Sequence, residues 1–478
     1  MEDVVNFVER RQDFRSRDGL IALAASGLVA AALFNPLHPV LAVGLAIAPL
    51  AMIAASRFVY LLCVAFVAFS FFRLHEAFPV LLPLRIPQLL AIPTLGMLMW
   101  HILVTRTVAP FWSRELSAFA VFFGLVTCGL VFAVNRQMAV DYWTATYVKI
   151  GLMVFAIAWL TRGPAEFALA SRTFVISGSA IAFVAMSNKL RGIGLVEGTR
   201  ATIGRDIDSV LGDPNDLSLV LLFPLSFSLA LMTTRTRALD RILGAVGVVL
   251  IATAIVATQS RGGLLGALAV FAVFGARMIK SKTLLIAIGV IGTLALFAAA
   301  GISGRASGGA AEAGIDESSM GRIYAWGAAW RMALARPLNG VGIDNFVANY
   351  FFYTGHWDGL NHAVHSTWFN VLAESGFPGI IAFVTMIAFT ARSALQSSRR
   401  IREADAPPAA KAISIALVAG IAGFCVAGTF LTQGFTWPIY ILLALTAATS
   451  RYATGLTSGR AEDEAGSGAR SPADAPTR

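Results

Sequence analysis

The chain is built from apolar runs of roughly the 17–25 residues that a helix needs to cross the hydrocarbon layer of a bilayer. A backbone in lipid must satisfy its hydrogen bonds within itself, so such runs can only be helices. They lie near 19–35, 38–55, 57–72, 86–104, 115–134, 144–160, 172–187, 216–233, 241–258, 261–277, 283–301, 367–391, 411–431 and 434–450. This predicts an all-α polytopic membrane protein with about 12–14 transmembrane helices, the range reflecting how closely the first two runs are spaced. Composition agrees, with 57% hydrophobic and only 13% charged residues, about half the charged share of a soluble domain.

The net charge of +10 would suggest nucleic acid in a soluble protein. Here it reports topology, because lysine and arginine are retained in cytoplasmic loops, and no nucleic-acid partner is expected. The basic N-terminal segment leads into an apolar run without a small-residue cleavage site, read as an uncleaved first span. Cytoplasmic N- and C-termini then put most of the 37 lysines and arginines inside. Lys189, Arg191, Arg200, Arg205, Arg261, Arg305, Arg322, Arg331 and Arg336 fall outside, where the rule gives no reason for them. Cys63, Cys128 and Cys425 lie in apolar runs without metal-type spacing and read as core residues.

The organisation expected is a cytoplasmic segment over 1–18, eleven helices over 19–301, a long periplasmic loop over 302–366, three helices over 367–450 and a disordered cytoplasmic tail over 451–478. In the long loop, 303–319 is Gly/Ala/Ser-rich and reads as mobile. Arg322 to Leu338 carries Ile323, Trp326, Trp330 and Leu334 at helical spacing, which predicts a helix lying on the membrane or capping the bundle.

Four constellations could carry chemistry. Arg261, in Thr258-Gln-Ser-Arg-Gly-Gly263, opens a helix and combines a guanidinium with free backbone N–H groups, a pairing suited to phosphate; an interfacial arginine bonded to lipid headgroups is the bland alternative. Arg200 and Arg205 precede Gly212-Asp-Pro-Asn-Asp216, where Asp213 and Pro214 form a helix-start signal and Asn215 and Asp216 are left over. Arg322 can converge on the same anion as Arg261, while packing explains Trp326 and Trp330.

The fourth constellation is His356, His362 and His365. His365, at a helix start, suits a general base because the helix N-terminus disfavours the imidazolium. A histidine merely bonded at headgroup level is the competing reading. A helix that began early would put His362 and His365 on one face. Asp358 could join His356 in a metal site, but zinc-type spacing is missing and no metal or other cofactor is expected. Glu374 lies too deep to orient His365 unless Gly376-Phe-Pro-Gly379 breaks the helix.

The order of many spans, Thr258-x-Ser260-Arg261-Gly262, then Gly321-Arg322, Trp326, Pro337 and Gly340-Val-Gly-Ile-Asp-Asn-Phe346, then His365 and Glu374-Ser-Gly376-x-x-Gly379, resembles the O-antigen ligase and polymerase superfamily of bacterial envelope glycan enzymes. The resemblance spans about 195–390. It implies a GT-C-like inner-membrane glycosyltransferase that takes a glycan from undecaprenyl diphosphate on the periplasmic side and gives it to a hydroxyl of another glycan (polymerase) or of the lipid A core (ligase). It also implies metal-independent chemistry with His365 as base, Arg261 and Arg322 as diphosphate ligands and Arg205 as a helper. Where the family commonly has asparagine after the histidine, this chain has Ser366, and a second histidine stands at 362. Direct displacement would invert the anomeric centre. A transporter of an anionic substrate is the alternative from another class; the lack of a half-to-half repeat and the scarcity of mid-membrane charges beyond Lys149 and Glu374 argue against it.

Overall fold

The structure is a computed structural model that describes Gly27 and residues 51–299, 317–357 and 359–468. The expected spans at 19–35 and 38–55, the Gly/Ala/Ser-rich stretch up to residue 316, and Asp358 lie wholly or largely outside the described residues. Those described form α1 (Val59–Ser70), α2 (Ile86–Leu103), α3 (Arg114–Gly129), α4 (Arg136–Leu160), α5 (Pro164–Arg191), α6 (Pro214–Thr233), α7 (Ala238–Thr258), α8 (Arg261–Met278), α9 (Lys282–Ala299), α10 (Glu317–Ala335), α11 (Phe346–Tyr353), α12 (Thr367–Glu403), α13 (Pro408–Gly428) and α14 (Trp437–Gly468). Nine helices among them are long and apolar enough to cross a membrane, ten if a bent pair counts as one span.

That pair corrects the expected straight span over 57–72. Ala51–Arg57 meets α1 at 87°, and the 12 residues of α1 reach only about 18 Å. The last helix also runs past the apolar stretch that ends near residue 450, continuing to Gly468.

Helix starts follow local chemistry. The side chains of Ser113, Asn135, Asp213 and Ser260 accept from the first-turn N–H groups of α3, α4, α6 and α8, filling donors that a helix leaves open. Prolines in the first turn begin α5, α6 and α13, where no N–H is needed. α6 is apolar on all sides and lies at the centre of its half of the bundle, packed on α5, α7, α8 and α13. A Cβ on Gly263 would come within 2.2 Å of Ser218 Oγ. The absence of that atom lets the start of α8 press against the start of α6, bringing Arg261 beside the Asn215–Asp216 turn.

A second group, α3, α4 and α14, packs together on the far side of α12, which touches α3, α10, α13 and α14. The start of α12 therefore stands between the two groups.

Candidate functional site

The loops at one end of the bundle, 192–213, 336–366 and 429–436, meet around the start of α12. His365 lies two residues before α12, with Ser366 at the N-cap position. Residues 361–366 are not helical, so His362 and His365 do not share a helix face as an early start would have given. His365 adopts φ 47°, an unusual conformation for a side-chain-bearing residue. Its N–H donates to Thr432 Oγ1 at 3.0 Å. Burial holds the imidazole below its ordinary pKa, the Arg322 and His362 charges push the same way, and Asp213 opposes them. Arg322 and Asp213 are thus the charged neighbours that His365 feels.

Elements far apart in sequence hold this loop. Trp326 Nε1 donates to the Val364 carbonyl at 3.1 Å, and its ring stacks on Phe369 at 5.4 Å. His362 meets the Tyr350 ring edge-on at 5.5 Å, while His356 stacks on Tyr324 at 5.0 Å. The three histidines therefore point to different partners. No group of three or more His, Cys, Asp or Glu side chains among the described residues is arranged to hold a metal ion.

α10 starts earlier than the expected helix. It begins at Glu317 and stops at Ala335, two residues before Pro337. Its buried side is the small one, Ala325, Ala328, Ala329, Met332 and Ala333, while Ile323, Trp330 and Leu334 are exposed. Arg322 is half-buried one turn into this helix, and Arg261 is half-buried at the first position of α8. Arg261, Arg322 and His362 each already hold an interaction within the protein.

The remaining sequence candidates separate. Arg200 is 5% exposed; it donates to the Thr258 carbonyl at 3.0 Å and to Asn215 Oδ1 at 2.9 Å, and lies 3.6 Å from Glu197. This makes Arg200 and Asn215 a brace between loop 192–213, α7 and α6. Arg205 is exposed on the same loop, packed over Gly212. Asp213 caps α6 through Asn215 N–H at 2.7 Å and Asp216 N–H at 3.2 Å. Asp216 accepts from Gln433 Nε2 at 2.6 Å.

Gln433 belongs to a part of the site that sequence reasoning missed. The turn between α13 and α14 holds the start of α12 through Trp368 Nε1 to Thr429 Oγ1 at 3.1 Å, Thr367 Oγ1 to the Leu431 carbonyl at 2.7 Å and Gln433 N–H to Thr367 Oγ1 at 3.2 Å. Four polar side chains, Thr429, Thr432, Gln433 and Thr436, in a short turn between two apolar runs were the available signal.

Glu374 also has a different place from the one its depth suggested. α12 breaks at Gly376, with φ 68° and ψ −169°. Glu374 turns to the returning loop, accepting from Asp344 N–H at 3.0 Å and Phe346 N–H at 3.1 Å. Gly340, at φ 62°, lies so close that a Cβ would meet the Ala373 carbonyl oxygen at 2.3 Å. The Gly340–Phe346 and Glu374–Gly379 motifs are thus one interlocked unit.

No curated protein matches the chain. Residues 246–384 match the family model described as O-antigen ligase, a stretch that includes Arg261, Arg322, His362, His365 and Glu374 but not loop 192–213. With this match on a polytopic helical scaffold, the chain is similar to the O-antigen ligase family over that stretch.

Proposed function

We propose that this protein transfers a glycan from undecaprenyl diphosphate to an acceptor hydroxyl on the periplasmic face of the bacterial inner membrane, in O-antigen or exopolysaccharide assembly, with His365 as the base. The observation that carries the reading is the state of His365: a desolvated imidazole beside Arg322, held below its ordinary pKa and therefore neutral at pH 7. A neutral nitrogen can take a proton.

The acceptor oxygen attacks the anomeric carbon as its proton moves to His365. The bond from that carbon to the diphosphate oxygen breaks, and lipid diphosphate leaves with the electron pair. Arg261 and Arg322 exchange their present contacts for phosphate oxygens and offset the charge developing there, the role a divalent cation takes in other transferases. Arg205 reaches the diphosphate from loop 192–213, while Asn215 and Asp216 line the approach. Displacement in one step inverts the anomeric centre and needs no metal. His362, three residues upstream, is the alternative base.

The test uses protein in liposomes with an undecaprenyl-diphosphate oligosaccharide, with and without lipid A core. Longer lipid-linked glycans identify a polymerase, and product formed only with core identifies a ligase. Wild type that leaves the donor intact under both conditions overturns the reading. A linkage that retains the donor's anomeric configuration by NMR overturns the one-step displacement.

A further inference from the structure

A cleft of about 480 Å³ opens between the start of α4 and the returning loop. It is lined by Asn135, Gln137, Asp141, Tyr142, Thr146 and Asp344, among others, and no lysine or arginine lines it. Tyr142 and Asp344 also border a smaller cavity of about 100 Å³, whose walls include Ala363, Val364 and Thr432. The two cavities share Tyr142 and Asp344 as walls, and Thr432 in the smaller one binds the backbone of His365.

The walls are built to stay in place. Asn345 clamps the turn before α4 to the returning loop, accepting from Asn135 N–H at 2.8 Å and donating to its carbonyl at 3.2 Å. Val134 N–H donates to the Val341 carbonyl at 2.9 Å beside them. Within α4, Trp143–Tyr147 forms a π-helical turn that carries Thr146 on the cleft wall. Such a turn is a local departure from the regular ladder, found often at functional sites. Asp344 sits at φ 62°, a costly conformation for a non-glycine residue, fixed by Glu374 on its N–H.

The lining sorts ligands by charge. Amide, hydroxyl and carboxylate groups around a half-buried aromatic ring suit a pyranose, whose hydroxyls need both donors and acceptors and whose C–H face packs on a ring. Two carboxylates without a lining cation repel phosphate or uronate. We propose that this cleft is the acceptor-sugar subsite and that it selects an uncharged or amine-bearing sugar over an anionic one. The inference rests on the transferase reading above: the donor diphosphate occupies the arginine side, and the acceptor hydroxyl approaches His365 from the carboxylate side.

Two measurements test it separately from that reading. Saturation-transfer NMR on full-length protein in nanodiscs uses neutral, amine-bearing and uronate-bearing disaccharides as probes. The neutral and amine-bearing probes should bind, and Gln137→Ala with Asp141→Asn should weaken them by about tenfold, the scale of one lost charge-assisted hydrogen bond. In the liposome assay the same variant should raise the acceptor KM about tenfold, leaving the donor KM and kcat near wild type. Asp344→Asn, which keeps a side chain tolerant of positive φ, should narrow the preference against uronate.

Uronate binding as strong as neutral, or binding and acceptor KM unchanged in the double variant, overturns the subsite. Sugar binding that the double variant weakens, in a protein that transfers no glycan, keeps the cleft as a sugar site but sinks the transferase reading and the acceptor role with it. Normal transfer with an unaltered acceptor KM does the reverse.

Discussion

The two flanks of the histidine loop differ in sign and in how the fold supplies them. On one flank Arg200 comes from loop 192–213, Arg261 from the start of α8 and Arg322 from α10, with Asp213 and Asp216 spent on a cap and on Gln433. On the other flank Asp141, Asp344 and Glu374 surround the meeting of α4, the returning loop and α12. The arginine side draws on two helices and a loop, and the carboxylate side is a product of chain folding back on itself. A glycan transferase needs this polarity, because it must hold an anion and deprotonate a neutral hydroxyl within one sugar's width.

The sharpest way to break the comparison is to remove what stands between the flanks. His365→Ala should lower kcat by about a thousandfold, the scale of a lost general base, while donor binding by tryptophan fluorescence stays within a few-fold of wild type. A variant that keeps full turnover would leave the two flanks without a shared centre. Next in size, Arg261→Ala or Arg322→Ala should cost about a hundredfold in kcat/KM for the donor. If the loss fell on the acceptor KM instead, the assignment of flanks would be reversed.

Glu374→Leu should destabilise the protein by about 2 kcal/mol, because the buried N–H groups of Asp344 and Phe346 would both lose their acceptor. Thermal unfolding in detergent checks this, and an unchanged Tm would remove Glu374 as the lock on the carboxylate side.

The smallest effect is a pair of opposite pH shifts. His365 acts as base above its pKa, so the acid limb of the kcat/KM profile marks that pKa. Arg322 lowers it and Asp213 raises it. Arg322→Gln should therefore move the acid limb to higher pH. Asp213→Asn, which keeps the cap on α6, should move it to lower pH. Shifts in the same direction would mean that these groups act on the limb through something other than charge at His365.

Much of the arginine flank was legible because it broke a rule. Arg200, Arg261 and Arg322 lie in segments read from the sequence as exterior, where the positive-inside bias gives no reason for them, and Asp213-Pro214 announces a helix start by its own chemistry. The carboxylate flank broke no rule. Acidic residues carry little topological signal, and the meeting of Asp141 with Asp344 depends on contacts across some two hundred residues. On α10 periodicity marks the large apolar residues, but it is the alanines that fit against the loop, leaving Ile323, Trp330 and Leu334 on the outside, where a helix lying on the membrane presents them.

By itself the sequence determined that this is an all-helical membrane protein, where most of its helices begin, and that arginines and histidines gather at one end. Those features follow from solvation and from local backbone hydrogen bonding, which each segment settles alone. Only the tertiary structure decided which arginine braces and which faces the loop, that Thr432 holds His365, and that α12 breaks so Glu374 can receive the returning chain. These depend on contacts between distant segments, and backbone such as Gly340 and Gly376, pressed closer than a Cβ allows, is tolerable only once both partners are in place.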